Sequence, residues 1–136
     1  MSFTQYMERN LLDHVFGAAP YSPPGTLYVG LSKTAISDHG AGVEEPDGAA
    51  GYARASFAND LSSWGVAVTG GDGNTTKSNA IDIAFPEPGA SWGTVTHFFI
   101  TDGTHMLGYG DLQPPKDIVQ GDVVVFRPGE LIITLE

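Results

Sequence analysis

Apolar residues recur every fourth position at the start of the chain, at Phe3, Met7, Leu11 and Val15, with Tyr6, Leu12 and Phe16 widening the stripe. This spacing predicts one amphipathic helix, because side chains four apart stack on one helical face. Ser2 and Gln5 have the spacing of a capping box, Gly17 suits the left-handed position after the last turn, and Pro20 cannot continue the helix. The helix is therefore expected over 3–16. After a Pro-rich connector at 21–25 the period falls to two. Leu27, Val29 and Leu31 alternate with Tyr28, Gly30 and Ser32, which predicts a first strand over 27–32.

Further short apolar runs predict strands over 52–58, 66–69 and 78–85, the last with Ile81, Ile83 and Phe85 on one face. Runs at 94–101 and 106–112 flank Asp102 and Gly103, a dipeptide that accepts positive φ in two-residue hairpin turns. Runs at 123–127 and 131–135 flank Pro128 and Gly129, which suit the centre of a type II turn, so a second hairpin is expected to close the chain. Eight short strands without intervening helices predict a mainly β fold. The expectation is one domain over 1–136, an antiparallel β-sandwich or jelly roll spanning 27–135 with one N-terminal α-helix. The segment 33–51 is rich in glycine and acids and reads as a long exposed loop, a length more often functional or mobile than structural.

Composition narrows the function. The 136 residues are 41% hydrophobic and 16% charged, enough apolar content to fold. A net charge of −10 without a basic cluster predicts no direct binding to nucleic acid and none to anionic membranes. Cysteine is absent, which excludes disulfides and thiolate metal sites. There is no apolar run of about 20 residues and no basic-then-apolar N-terminal segment, so neither a membrane span nor a signal peptide is expected.

Candidate chemistry is sparse. Gly89, Ser91 and Gly93 match the G-x-S-x-G pattern, but that motif needs a strand-to-helix turn and here a Pro-rich loop leads into a strand. In a two-residue or four-residue hairpin loop, His97 and His105 fall on opposite sheet faces, which argues against a shared metal. Asp72, Gly73 and Asn74 lack the ligand pattern of a calcium loop and read as a tight turn. No carboxylate pair is singled out for glycosidase chemistry. The tryptophans and tyrosines fit packing more readily than sugar stacking. No enzyme activity and no cofactor is expected.

The hairpin carries apolar residues on both faces, with Phe98, Ile100, Leu107 and Tyr109 on one and Val95, Phe99 and Met106 on the other. A sandwich sheet needs one inward face, so the remainder calls for cover by the helix or by another subunit. The interface candidates are Phe3, Met7, Leu11, Val15 and Phe16 of the helix and Phe99 and Met106 of the hairpin. A homo-oligomer, trimer or dimer, is expected.

In order along the chain, YMERNLLDHVFG, YSPPGTLYVGLS, GYARASF, SNAIDIAFP, SWGTVTHFFITD, LGYGDL, VQGDVVVF and PGELIITL resemble a family of small tailed-bacteriophage virion proteins. The resemblance spans nearly the whole chain and is weakest in the loop 33–51. Members are often labelled tail-fibre proteins, and related small β-proteins serve as capsid cement. The resemblance implies a virion structural protein, made in the host cytoplasm. An acidic chain is disfavoured beside packaged DNA, and no repeat or coiled coil supplies a fibre shaft. The expectation is thus a decoration protein on the outer capsid surface, partnered with the major capsid protein. The alternative is a small tail-fibre or baseplate component involved in host attachment, partnered with tail or baseplate proteins.

Overall fold

The structure, a computed structural model, describes residues 1–135. Its largest sheet holds five antiparallel strands in the order β1-β8-β7-β2-β3, formed by Ser2–Phe3 (β1), Thr26–Ser32 (β2), Ala55–Ala58 (β3), Gly93–Thr101 (β7) and Met106–Ile118 (β8). Opposite it lie two smaller antiparallel assemblies. Ile132–Leu135 (β10), Thr75–Ser78 (β5) and Val68–Thr69 (β4) make one, and Ile83–Ala84 (β6) pairs with Val125–Phe126 (β9) in the other. Leu27, Val29, Leu31, Val95, Phe98 and Ile100 of the large sheet pack with Trp64, Ile83, Phe85 and Leu131 in one hydrophobic cluster. The expected antiparallel sandwich with one helix is the observed architecture.

The helix α1 runs Gln5–Phe16, two residues later than its stripe suggests. Ser2 and Phe3 pair instead with Tyr109 and Gly108 of β8, so the chain enters as a strand. Thr4, 2% exposed, makes the turn: its N–H donates to the Leu107 carbonyl, its hydroxyl donates to the Met106 carbonyl, and the same oxygen accepts from the Met7 N–H. Thr4, rather than Ser2, is the N-cap. At the far end Gly17 has φ −138 and Ala18, at φ +50, takes the left-handed position.

The central hairpin has a four-residue loop, 102–105, not a two-residue turn. Thr101 faces Met106, and Asp102 Oδ1 accepts from the N–H groups of Thr104 and His105. Two irregularities then change the facing of side chains. Ile100 pairs with Gly108, which leaves Leu107 as a bulge, and Phe99 therefore pairs with Tyr109. Tyr109 thus lies on the Phe99 face and not with Phe98 and Ile100. Val95 faces Lys116 while His97 faces Asp111, so the interruption turns Val95 into the core beside Phe98 and Ile100. Gly30 sits directly opposite Phe99, and a Cβ there would lie 2.2 Å from its ring. The strand alternation at Gly30 is the space the phenyl ring occupies.

The region expected as one strand over 78–85 is two strands in two assemblies, and the expected closing hairpin is not one. The turn at Pro128 and Gly129 forms, with the Glu130 N–H on the Arg127 carbonyl and Gly129 at φ +84. Its two arms then diverge, β9 to β6 and β10 to β5. Asn79 is the wedge. It is 2% exposed, its Nδ2 donates to the carbonyls of Ile81, Phe126 and Arg127, and its Oδ1 accepts from the N–H of Leu131, itself 0% exposed. Its own backbone exchanges further bonds with Leu131 and Gly129.

Asn79→Ala removes these partners without replacing them and should destabilise the fold by roughly 3–5 kcal/mol, since several buried groups are left unsatisfied at about 1–3 kcal/mol each. Asn79→Asp, which sets a carboxylate against three carbonyl oxygens, should be no milder. Urea unfolding reads both; midpoints unchanged from the native protein would remove Asn79 from this role.

Candidate interaction surface

Helix α1 is held to the sheet at its N-terminal end. Thr4 ties it to β8, the Gln5 N–H donates to the Asp38 carbonyl, and the Tyr6 ring stacks on His105 with centroids 4.1 Å apart and planes within 3°. Farther along, the helix stands off. No residue of α1 is buried. Met7 and Leu11 are half-buried because they face an apolar groove of about 320 Å³ between the helix and the sheet. Leu27, Trp64, Ile100, Leu107 and Ile133 line the sheet side, and Tyr21, Pro23 and Pro24 of the connector close one wall. The connector is fixed in turn, since the Tyr21 N–H donates to His14 Nδ1 and Asn59 donates to the Pro24 and Gly25 carbonyls.

The opposite face of the large sheet is covered by the segment 33–51, which is pinned rather than free. The Lys33 N–H bonds the Glu44 carbonyl, the Glu44 N–H bonds Ser32 Oγ, and Ile36 and Ala50 are buried. The main clasp is Glu45. Its carboxylate accepts from Tyr52 Oη at 2.7 Å and from Arg54 Nε and Nη2 at 2.9 and 3.0 Å. The Arg54 guanidinium lies 5.1 Å from the Phe99 ring centroid, a cation–π distance. Burial by itself would raise the Glu45 carboxyl, but the hydrogen bonds from Arg54 and Tyr52 and the Arg54 charge hold it below the usual glutamate value. Burial and the Glu45 contact push the Tyr52 hydroxyl well above its own. On the same face Tyr109 bonds Asp38, and that bond, with some burial, pushes its hydroxyl up to about 12.

Both tryptophans are core residues. Trp64 Nε1 donates to Asn59 Oδ1 and Trp92 Nε1 to the Ala50 carbonyl, so neither offers a stacking face to solvent. Ser91 Oγ donates to the Ile118 carbonyl at the entrance to β7. His97 Nδ1 lies 2.7 Å from Thr96 Oγ1, and His105 is stacked on Tyr6. Among the described residues no three histidine and carboxylate side chains come together as a metal site, and no helix is long and apolar enough to cross a membrane.

A family model described as "Podophage GP4 fiber I protein gp80" matches residues 2–134. The chain belongs to this family. No curated protein matches it. Membership in the gp80 fiber I family agrees with the resemblance to small tailed-phage virion proteins and gives the chain a structural role in a bacteriophage virion.

On the gp80-family fold the sequence-selected residues separate into two groups. Phe3, Met7 and Leu11 line the groove, whereas Val15 and Phe16, 57% and 84% exposed, are not part of its lining. Met106 and Phe99 lie on the other face, under the clasp, with Phe99 only 2% exposed. The chain's own loop buries Phe99, and its ring is not at the surface. Sequence spacing missed Thr4, Tyr6 with His105, and the sheet wall of the groove; the first two depend on contacts with Met106 and His105, far away in sequence.

Glu45 links pH to this cover. A carboxyl held below its unfolded value contributes stability at neutral pH that is lost as pH falls through and below the ordinary value of 4.5. Arg54 and Glu45 are 36% and 26% exposed, so screening keeps the contribution modest, about 1 kcal/mol. Glu45→Gln should cost about that much at pH 7 and flatten the loss between pH 5 and 3. Denaturant midpoints across that range, with limited proteolysis within 33–51, check it; an unchanged pH profile would show that the clasp contributes nothing.

Proposed function

We propose that the protein is a non-catalytic building element of a phage fibre on the outside of the virion, joined to tail or baseplate proteins. The observation that carries this reading is the match of one fibre-protein family to residues 2–134 of a 136-residue chain. Nothing comparable favours the capsid surface, so the fibre takes precedence over the cement expectation. The chemistry supports a structural part. Trp64 and Trp92 hold the core, Ser91, His14, His97 and His105 are engaged in local contacts, and the −10 charge suits an exterior position away from packaged DNA. A sandwich of short antiparallel strands without a repeat suits a joint or tip rather than a spacer.

Gold-labelled antibody against the protein, viewed on intact particles by electron microscopy, should decorate the tail end. Label distributed over the faces of the head would overturn the fibre placement and restore the cement reading.

A further inference from the structure

Tyr21 is the exception to the pairing of polar groups in this protein. Its hydroxyl oxygen is closed off from solvent yet has no hydrogen-bond partner, the only such side-chain atom among the described residues. A hydroxyl so placed has given up water without a replacement, which native structures rarely leave uncorrected. Tyr21 lines the groove between α1 and the sheet. The other polar groups of that wall are already engaged. Asn59 donates to the Pro24 and Gly25 carbonyls and accepts from Trp64 Nε1, and His14 accepts the Tyr21 N–H at Nδ1, a bond that requires the neutral ring. The rest of the lining is apolar, with Met7, Leu11, Leu27, Ile100, Leu107 and Ile133 around the space and no Asp, Glu, Lys or Arg. A single water there finds too few partners, since buried waters are typically held by about three.

We propose that this groove is a binding site for a small neutral molecule with an apolar body and one hydroxyl or carbonyl group, which pairs with the Tyr21 hydroxyl. Size sets the body. At about 320 Å³ the groove lies at the lower end of the roughly 300–1,000 Å³ of ligand clefts, which suits a single substituted ring. The tyrosine sets the polar group. Burial first, then the neighbouring Tyr6 and Asp102, raise the Tyr21 pKa, so the hydroxyl keeps its proton and offers it to an acceptor. Charge excludes the ionised alternatives. A carboxylate or phosphate would meet no cation in the lining and would feel the Asp102 charge, on a chain of −10. An ammonium would lose its water with no carboxylate in the lining to receive it. A ring in the groove also completes the packing of Met7 and Leu11, which α1 alone leaves half-buried. The site belongs to the isolated chain and does not depend on where in the virion it sits.

Methionine supplies the reporters, because Met1 and Met7 line the groove while Met106, the third methionine, lies on the other face of the sheet. Methyl NMR of the native protein titrated with 4-methylphenol should shift the Met1 and Met7 signals saturably and leave Met106 in place. The dissociation constant should be on the order of 0.1–1 mM, as fits a ligand of so few atoms. Toluene, the same body without the hydroxyl, should bind at least ~5-fold more weakly, whereas desolvation of the phenol by itself would give the opposite order. 4-Methylbenzoate, ionised at pH 7, should shift none of the three signals. Tyr21→Phe should invert the order of 4-methylphenol and toluene while keeping the affinity for toluene. It should also melt no lower than the native protein, because it deletes a hydroxyl that has no partner. A Met7 signal that 4-methylphenol does not saturate, an equal shift at Met106, toluene or 4-methylbenzoate binding as tightly as 4-methylphenol, or an order left unchanged by Tyr21→Phe would each overturn the proposal.

Discussion

The sandwich depends on one buried amide. The chain must cross between the β4–β5–β10 assembly and the β6–β9 ribbon within a few residues, and it must do so twice, outward around 79–83 and back around 127–131. Each passage frees backbone N–H and C=O groups from a ladder, and inside a core those groups cost free energy unless they find partners. Asn79 supplies them for both passages at once. A side chain with two donor hydrogens and an acceptor oxygen serves three carbonyls and one N–H, so one donor is shared. Because the same residue stitches the two crossings together, Ile83 and Leu131 both enter the one core.

A similar economy governs the N-terminus. The first residues are a strand before they are a helix, and Thr4 is the hinge between the two states. Its buried hydroxyl faces both ways, donating to β8 and accepting from the first turn of α1. The helix therefore takes its direction from the edge of the sheet rather than from burial of its own apolar face. This explains how α1 remains attached while burying none of its residues. Tyr6 on His105 adds a flat contact at the same end, so the anchor is concentrated in the first two turns and the C-terminal half projects.

Period-based reading worked where the element carried its own signal. Leu27, Val29 and Leu31 announced β2 by alternation, and the four-residue stripe announced α1. It failed wherever distant contacts outvoted the local pattern. Ser78 through Phe85 reads as continuous β, and only the carbonyls of Phe126 and Arg127, far away in sequence, show why the strand breaks at Asn79. The bulges in the central hairpin carry no propensity signal of their own. They nevertheless exchanged the faces of Val95 and Tyr109, because each inserted residue inverts the parity of everything beyond it. The groove was legible by half. Its helical wall was visible as a stripe, while its sheet wall required the pairing of β1 with β8 and the packing of Trp64 behind the connector.

The excess of apolar residues in the hairpin finds two different outlets, and the difference is electrostatic. On the Phe99 face the cover is intramolecular. Arg54 can lie over the ring because Glu45 neutralises it, and Glu45 can be partly buried because Arg54 and Tyr52 satisfy its oxygens. That arrangement uses one of only six basic side chains in the molecule. On the helix side no such cation is available. Arg9 is on the exposed face of α1, and the connector beyond Asp13 has no charge of either sign. An acidic protein with few cations can seal one apolar face with an ion-paired lid. Its second face, kept neutral along the connector, is left to uncharged packing alone.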